Sequence, residues 1–147
     1  MPARGIQHID LCVSDVERSL AFYVGLLGPL GLEEDIRVPS YRGSEEIVYL
    51  LFGEQNIGLR PADGGEHRYY EVGVEHVAFE VDTREEVDAA FERAQKLGAH
   101  VHIPPKEDEN LDGYYALFVF DPDGIRVEVF RADKAEPGQS RWAREGL

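Results

Sequence analysis

An internal repeat constrains the fold of this chain more than any other feature. The segment from His8 to Glu17 is matched, 68 positions later, by the segment from His76 to Glu85. Each copy begins at a histidine, continues as an alternating strand and then enters a helix. A repeat of this length sets the architecture, because each copy forms the same supersecondary unit. We therefore predict two half-domains with His8 and His76 at equivalent points.

Both halves are predicted to run in the order strand, helix and three strands. Alternation predicts strands over 6–13, 33–39, 45–52 and 56–60 in the first half, and over 74–81, 99–103, 114–120 and 125–130 in the second. The helices should end near Gly28 and Gly98. Ser14 with Glu17, and Thr83 with Glu86, have the spacing of a capping box. Neither half is expected to bury a good core alone, so the two should pack together.

Composition excludes several classes of function. The formal net charge of the 147 residues is -14, which argues against nucleic acid and against an anionic membrane surface as partners. No apolar run reaches the roughly 20 residues of a membrane span. The single cysteine, Cys12, excludes an internal disulfide and fits a reducing cytoplasm. We expect a cytoplasmic protein that acts on a small molecule.

Three candidate metal ligands are predicted to share one face of the strands. Side chains alternate along a strand, so His8 and His76 should lie opposite the apolar residues that the helices cover. In the last strand, Glu128 alternates with the apolar Val127 and Val129 and should share the face of the histidines. If the strands curve into a cup, the three side chains converge inside it. Two histidines and one carboxylate can bind a metal and leave positions open for chemistry.

The motifs of this chain resemble those of the vicinal oxygen chelate superfamily, the glyoxalase, bleomycin-resistance and extradiol-dioxygenase group. The resemblance covers residues 5–131 and is most specific where Phe120-Asp121-Pro122-Asp123-Gly124 leads to Val127-Glu128-Val129. It implies an α+β fold in which two tandem βαβββ modules form a cup-shaped, half-open mixed barrel, with a helix flanking each module. It also implies a divalent metal in the cup and a homodimer. Within a single domain spanning 1–147, the modules should cover about 5–60 and 74–131, followed by a polar tail over 132–147 in which Trp142 is a possible local anchor.

The metal positions of the superfamily lie on the opening and closing strands of each module. Here the resemblance implies His8, His76 and Glu128 as ligands, while the fourth position falls at Gly58, which has no side chain. That vacancy counts against lactoylglutathione lyases and methylmalonyl-CoA epimerases, which carry a fourth ligand. The remaining set is similar to that of extradiol dioxygenases and fosfomycin thiol-transferases. Three facial ligands of this type favour Fe(II), with Mn(II), Ni(II) or Zn(II) as alternatives.

Further candidates are assigned to substrate and catalysis. Tyr114 and Tyr115 precede the last hairpin, and one of them should face the cup as a catalytic residue. Arg60 could bind a substrate carboxylate, with an ion pair inside the protein as its alternative. Asp10 lies on the face of His8 and could orient a ligand or substrate, and His102 is a weaker substrate-binding candidate.

These observations predict a divalent-metal-dependent enzyme that acts on a small substrate with vicinal oxygens. Dioxygenase-like chemistry through the two histidines and Glu128 is the leading hypothesis. The alternatives are a glyoxalase-like lyase or isomerase, and a metal-free protein that sequesters a drug, as bleomycin-resistance proteins do.

Overall fold

The computed structural model describes residues 2–134 and contains two copies of a βαβββ unit. The first consists of β1 (His8–Val13), α1 (Val16–Leu27), β2 (Glu33–Pro39), β3 (Glu46–Phe52) and β4 (Gln55–Pro61). The second consists of β5 (His76–Glu80), α2 (Arg84–Lys96), β6 (His100–Glu107), β7 (Tyr115–Phe120) and β8 (Arg126–Arg131). These ranges confirm the predicted element order. The proposed anchor Trp142 lies outside the described residues.

Each module forms its own four-stranded sheet. The strand orders are β1-β4-β3-β2 and β5-β8-β7-β6, so the two sheets have the same topology. In each, the opening strand pairs in parallel with the closing strand, while the other neighbours are antiparallel. The predicted α+β fold of two tandem modules is confirmed. Over the described residues the two sheets stay separate, so the barrel is not closed.

The helix starts differ in one respect from the sequence prediction. Thr83 caps α2 in the predicted box with Glu86. The cap of α1, however, is Asp15, whose carboxylate accepts from the Arg18 amide at 3.0 Å. Ser14 does not cap the helix, because its backbone and hydroxyl groups both bond to the Asp123 carboxylate of the second module. The capping box predicted at Ser14 is therefore wrong by one residue.

The core lies on the helix side of both sheets. Alternate residues of the strands are buried there, for example Leu11 and Val13 on β1 and Val127 and Val129 on β8. One continuous cluster joins these side chains to the inner faces of α1 and α2. Phe52 of module one packs against this cluster, and its ring meets that of Phe79 of module two edge to face. The predicted packing of the two halves together is confirmed.

A buried polar contact also joins the modules. Tyr23 of α1 is 1% exposed, and its hydroxyl donates to Asp121 Oδ2 at 2.9 Å. The other oxygen, Oδ1, accepts the amides of Asp123 and Ile125, which shapes the predicted turn between β7 and β8. Burial raises the pKa of Asp121 above its ordinary value despite these bonds. The Asp-Pro-Asp-Gly motif thus holds the turn and attaches it to α1.

Among the described residues, no helix is both long and apolar enough to cross a membrane.

Candidate metal centre

The clearest chemical feature is a histidine–carboxylate pair on the sheet face of module two that lies away from the helices. His76 Nε2 lies 2.9 Å from Glu128 Oε2. The two residues come from neighbouring parallel strands, β5 and β8, and are offset by two residues in register, since His76 is paired with Arg126 and Ala78 with Glu128. Two of the three predicted metal ligands therefore meet.

The His76 ring is held by a series of contacts on the side away from Glu128. The Glu75 carboxylate bonds to His76 Nδ1, and Arg126 Nη1 donates to Glu75 Oε1 at 2.5 Å. The Arg126 guanidinium rests on the Phe118 ring, 3.9 Å from its centroid. Partial burial alone would raise the pKa of Glu75, but the bonds from His76 and Arg126 lower it overall. The contacts of Glu75 and Arg126 orient the imidazole so that Nε2 points towards Glu128. Hydrogen-bond partners of metal-bound histidines orient their rings in the same way.

The tyrosine pair predicted near the site is divided between the two faces. Tyr114 donates its hydroxyl to Glu128 Oε1 at 2.5 Å and stacks on Phe130 at 4.9 Å. Tyr115 instead bonds to Asp88 of α2 at 2.7 Å, on the helix side of the sheet. Only Tyr114 is therefore placed to act at the centre.

Glu128 is buried at a position where an ionised carboxylate without a bound cation is energetically unfavourable. The residue is 2% exposed, and burial raises the pKa of its carboxyl group above the ordinary 4.5 even though Tyr114, His76 and Arg126 favour the ionised form. A bound cation would remove this cost. The position thus combines a buried carboxyl group of raised pKa with an adjacent tyrosine hydroxyl and imidazole, which is typical of a functional site.

The raised pKa predicts that Glu128→Gln stabilises the metal-free protein in a pH-dependent way. Below pH 4.5 the side chain is neutral in both the folded and the unfolded state, so the gain is absent. As pH rises from there through the raised pKa, the unfolded wild-type chain ionises first and the folded state becomes relatively less stable. We expect the advantage of the variant to grow over this interval and then level off. It should amount to about 1.4 kcal/mol for each unit by which the pKa is raised.

Urea denaturation of chelator-treated protein at several pH values measures this difference. Glu92→Gln, an exposed glutamate on α2, is the matched control and should give no growing advantage. Parallel stability curves for wild type and Glu128→Gln would contradict the prediction.

The third predicted ligand, His8, is exposed and stands apart from the other two. Its Nδ1 bonds to Gln7 Oε1 at 2.7 Å, and its ring contacts that of Tyr49 edge to face. A cleft of about 500 Å³ between the edge strands β1 and β5 is lined by His8 and by His76. Within residues 2–134 of one chain, no three His, Cys, Asp or Glu side chains are close enough together to hold a metal ion.

Gln7 and Glu75 are site residues that the sequence reasoning missed. Each immediately precedes its histidine and bonds to Nδ1 of that ring. The internal repeat contained the signal, because both residues occupy the position before the repeated histidine.

The two substrate-binding candidates of module one pair with each other. Arg60 Nε donates to Asp10 Oδ2 at 2.8 Å, and the Tyr49 hydroxyl bonds to the same oxygen at 3.3 Å. Arg60 therefore takes the ion-pair alternative, and its guanidinium also lies 5.7 Å from the centroid of the Tyr41 ring. Asp10 lies on the same face of β1 as His8, because it follows His8 by two residues, and its partners Arg60 and Tyr49 meet it there.

His102 lies at the edge of the other module. Its ring contacts those of Tyr69 and Phe120. Partial burial and the charge of Arg126 lower its pKa. These contacts place it beside Arg126 rather than beside Glu128, so a contact with substrate stays a prediction.

Comparison with known proteins decides the family. The model of the glyoxalase/bleomycin resistance protein/dioxygenase superfamily matches residues 5–129. The chain belongs to this superfamily. The matched range begins before β1, ends within β8, and contains the positions of His8, His76 and Glu128.

Relatives and a solved structure within the superfamily agree with this assignment. Protein YqjT of Bacillus subtilis is 31% identical over 126 residues, which cover 84% of this chain and 96% of YqjT. Lactoylglutathione lyase of Salmonella typhimurium is 30% identical over 144 residues, which cover 89% of this chain and 95% of the lyase. The crystal structure of a glyoxylase/bleomycin resistance protein/dioxygenase domain from Frankia sp. EAN1pec superposes with a TM-score of 0.74 at 26% identity, covering 92% of this chain and 96% of that domain.

The residues present suit a divalent cation of the kind this superfamily uses. Glu128 offers a buried carboxylate oxygen, His76 offers an oriented Nε2, and His8 offers an exposed imidazole whose other nitrogen is already held. Imidazole and carboxylate ligands together favour Fe, Mn, Ni or Zn over Ca or Mg.

Proposed function

We propose that the protein is a divalent-metal-dependent enzyme of small-molecule metabolism whose metal is bound by His8, His76 and Glu128. The observation that carries the proposal is the contact between His76 Nε2 and Glu128 Oε2. Both groups are already oriented from behind, by Glu75 and Tyr114 respectively. A preformed half-site of this kind lowers the cost of organising ligands when the ion binds.

We propose that a homodimer completes this half-site. In one chain His8 is exposed and the three ligands do not come together, whereas His76 and Glu128 do. The edge strands β1 and β5 are also unpaired on the sides that face the cleft. A second copy would bring the partner's His8 to the half-site of module two, and the twofold operation would make two equal centres.

The proposed chemistry follows from the donor set. A metal held by two imidazoles and one carboxylate would supply a Lewis acid for two adjacent substrate oxygens and open positions for dioxygen or water. The chain's own residues orient and enclose the substrate. Phe118 contacts the His76 ring and Phe130 stacks on Tyr114, so apolar rings flank both polar groups. Tyr114 keeps Glu128 Oε1 occupied so that Oε2 is left for the ion.

Dioxygenase-like chemistry with Fe(II) is our first candidate, because three facial ligands are the pattern of non-haem iron oxygenases. Lyase or isomerase chemistry is the second candidate. This candidate is favoured by the similarity to a lactoylglutathione lyase, which is 30% identical to this chain over 95% of the length of the lyase.

Metal content and substrate-dependent oxygen uptake test the proposal. Protein purified without air or chelator should contain stoichiometric metal, and the metal should raise its thermal midpoint because it binds only the folded state. Oxygen consumption with members of a catechol panel supports the first candidate, and loss of a hemithioacetal without oxygen uptake supports the second. Two results together would overturn the enzyme proposal in favour of drug sequestration. The purified protein would contain no metal, and cationic drugs would raise its thermal midpoint equally with and without added metal.

A further inference from the structure

The two modules place a carboxylate at the same registered strand pair, but from opposite strands. In module two, Ala78 of β5 pairs with Glu128 of β8. In module one, Asp10 of β1 pairs with Gly58 of β4. The acid is therefore on the closing strand in one module and on the opening strand in the other. Gly58 itself has no side chain, but it faces the carboxylate of its paired neighbour Asp10.

The space around Gly58 shows why the two residues are exchanged together. A Cβ atom at Gly58 would overlap the Asp10 carboxylate and would lie 2.8 Å from Cε1 of Tyr49. Contacts this short force a neighbour to move. The absence of a side chain at Gly58 is thus what lets the Asp10 carboxylate occupy the volume that a closing-strand side chain would take.

Each of the two carboxylates accepts a tyrosine hydroxyl, although only that of Asp10 is also paired with an arginine. Glu128 Oε1 accepts the Tyr114 hydroxyl, and its Oε2 faces His76. Asp10 Oδ2 accepts the Tyr49 hydroxyl and Arg60 Nε. Its Oδ1 is buried and accepts no hydrogen bond from the described residues. A buried carboxylate oxygen without a partner is costly, and a cation or a donor group removes that cost.

Asp10 also lies in the neighbourhood of a proposed ligand. His8 is two residues away on the same face of β1, and the Tyr49 ring contacts the His8 ring while its hydroxyl reaches Asp10. We propose that Asp10 is a fourth metal-binding carboxylate, contributed by module one in place of a side chain at Gly58. This inference rests on the proposed function. It adds a fourth ligand to the three proposed there, and because that ligand fills one of the open positions, it favours the lyase or isomerase candidate over the dioxygenase-like one.

An exchange of the two residues gives the sharpest test. The double variant Asp10→Ala/Gly58→Glu copies the Ala78 and Glu128 arrangement of module two, where Phe118 is paired with Glu128 as Tyr49 is with Gly58. Calorimetric titration of the metal-free protein with Mn(II) measures affinity without any assay of activity. We expect Asp10→Asn and Asp10→Ala to weaken Mn(II) binding at least about tenfold, and the double variant to recover most of that loss.

Controls separate a ligand role from a structural role. Cys12→Ser changes an exposed residue two positions further along the same face and should leave affinity unchanged. Gly58→Ala keeps the Asp10 charge but displaces its carboxylate, so it should also weaken binding. Thermal midpoints in chelator identify the variants that fold as the wild type does.

Several results would overturn the inference. Unchanged Mn(II) affinity in Asp10→Asn or in Gly58→Ala does so, as does a folded double variant that binds no better than Asp10→Ala. If His76→Ala abolishes binding while Asp10→Asn does not affect it, the fourth ligand is wrong and the proposed function stands. If wild type binds no Mn(II), or if His76→Ala has no effect, the proposed function fails and this inference fails with it.

Discussion

Replacing His76 with alanine is expected to abolish stoichiometric metal binding. The imidazole contributes Nε2 beside Glu128, and its removal also leaves the Glu75 and Glu128 carboxylates without the group between them. The loss of affinity should exceed the roughly 10- to 100-fold that removal of an outer partner costs. Elemental analysis and calorimetric titration with Mn(II) or Fe(II) measure it.

His100→Ala is the matched control for this variant. It removes the same side chain from an exposed position on β6 of the same module, where the ring packs on Phe120. We expect wild-type metal content and affinity. Equal affinities for His76→Ala and His100→Ala would refute the metal centre.

Mixing two inactive variants is expected to create functional sites. His8→Ala and His76→Ala should each lack complete centres. In a heterodimer of the two, one centre combines both substitutions and the other combines neither. If a centre takes His76 and Glu128 from one chain and the partner's His8, each heterodimer therefore regains one intact metal site.

The experiment needs the two chains to carry different affinity tags, so that heterodimers are isolated by two successive columns. Metal content and the metal-induced thermal shift are then compared with those of each homodimer. A heterodimer of His76→Ala with Glu128→Ala is the negative control. One chain supplies both groups of a half-site, so each half-site of this heterodimer keeps one substitution and neither centre is intact. If the heterodimer of His8→Ala with His76→Ala binds no more metal than the homodimers, His8 acts within its own chain. A wild-type protein that is monomeric in solution would contradict the homodimer itself.

The internal repeat explains why so much of the fold was predictable. Alternation of apolar residues and the glycines after each helix set the element order, and the repeat placed His8 and His76 at equivalent positions. Glu128 was predictable because Val127 and Val129 determine which way it points. Local spacing carries all of this information, since strand faces depend only on sequence parity.

The remaining features depend on contacts that local spacing does not contain. Asp15 caps α1 because Ser14 is held by Asp123, 109 residues away. Parity puts the adjacent Tyr114 and Tyr115 on opposite faces, but their partners Glu128 and Asp88 follow only from the packing of a distant strand and helix. The pairing of Asp10 with Arg60 was equally hidden, because it requires knowing that β1 lies next to β4.

The continuous core on the helix side has an evolutionary consequence. In strands such as β1 and β8, one face packs into the core beneath the helices, while the other carries polar groups such as Asp10 and Glu128. Substitutions on the second face therefore remove little of the surface whose burial drives folding. Such a scaffold can accumulate changes in its reactive groups without losing its shape. The two modules of this chain already differ in this way, since the acid lies on β1 at Asp10 in one and on β8 at Glu128 in the other.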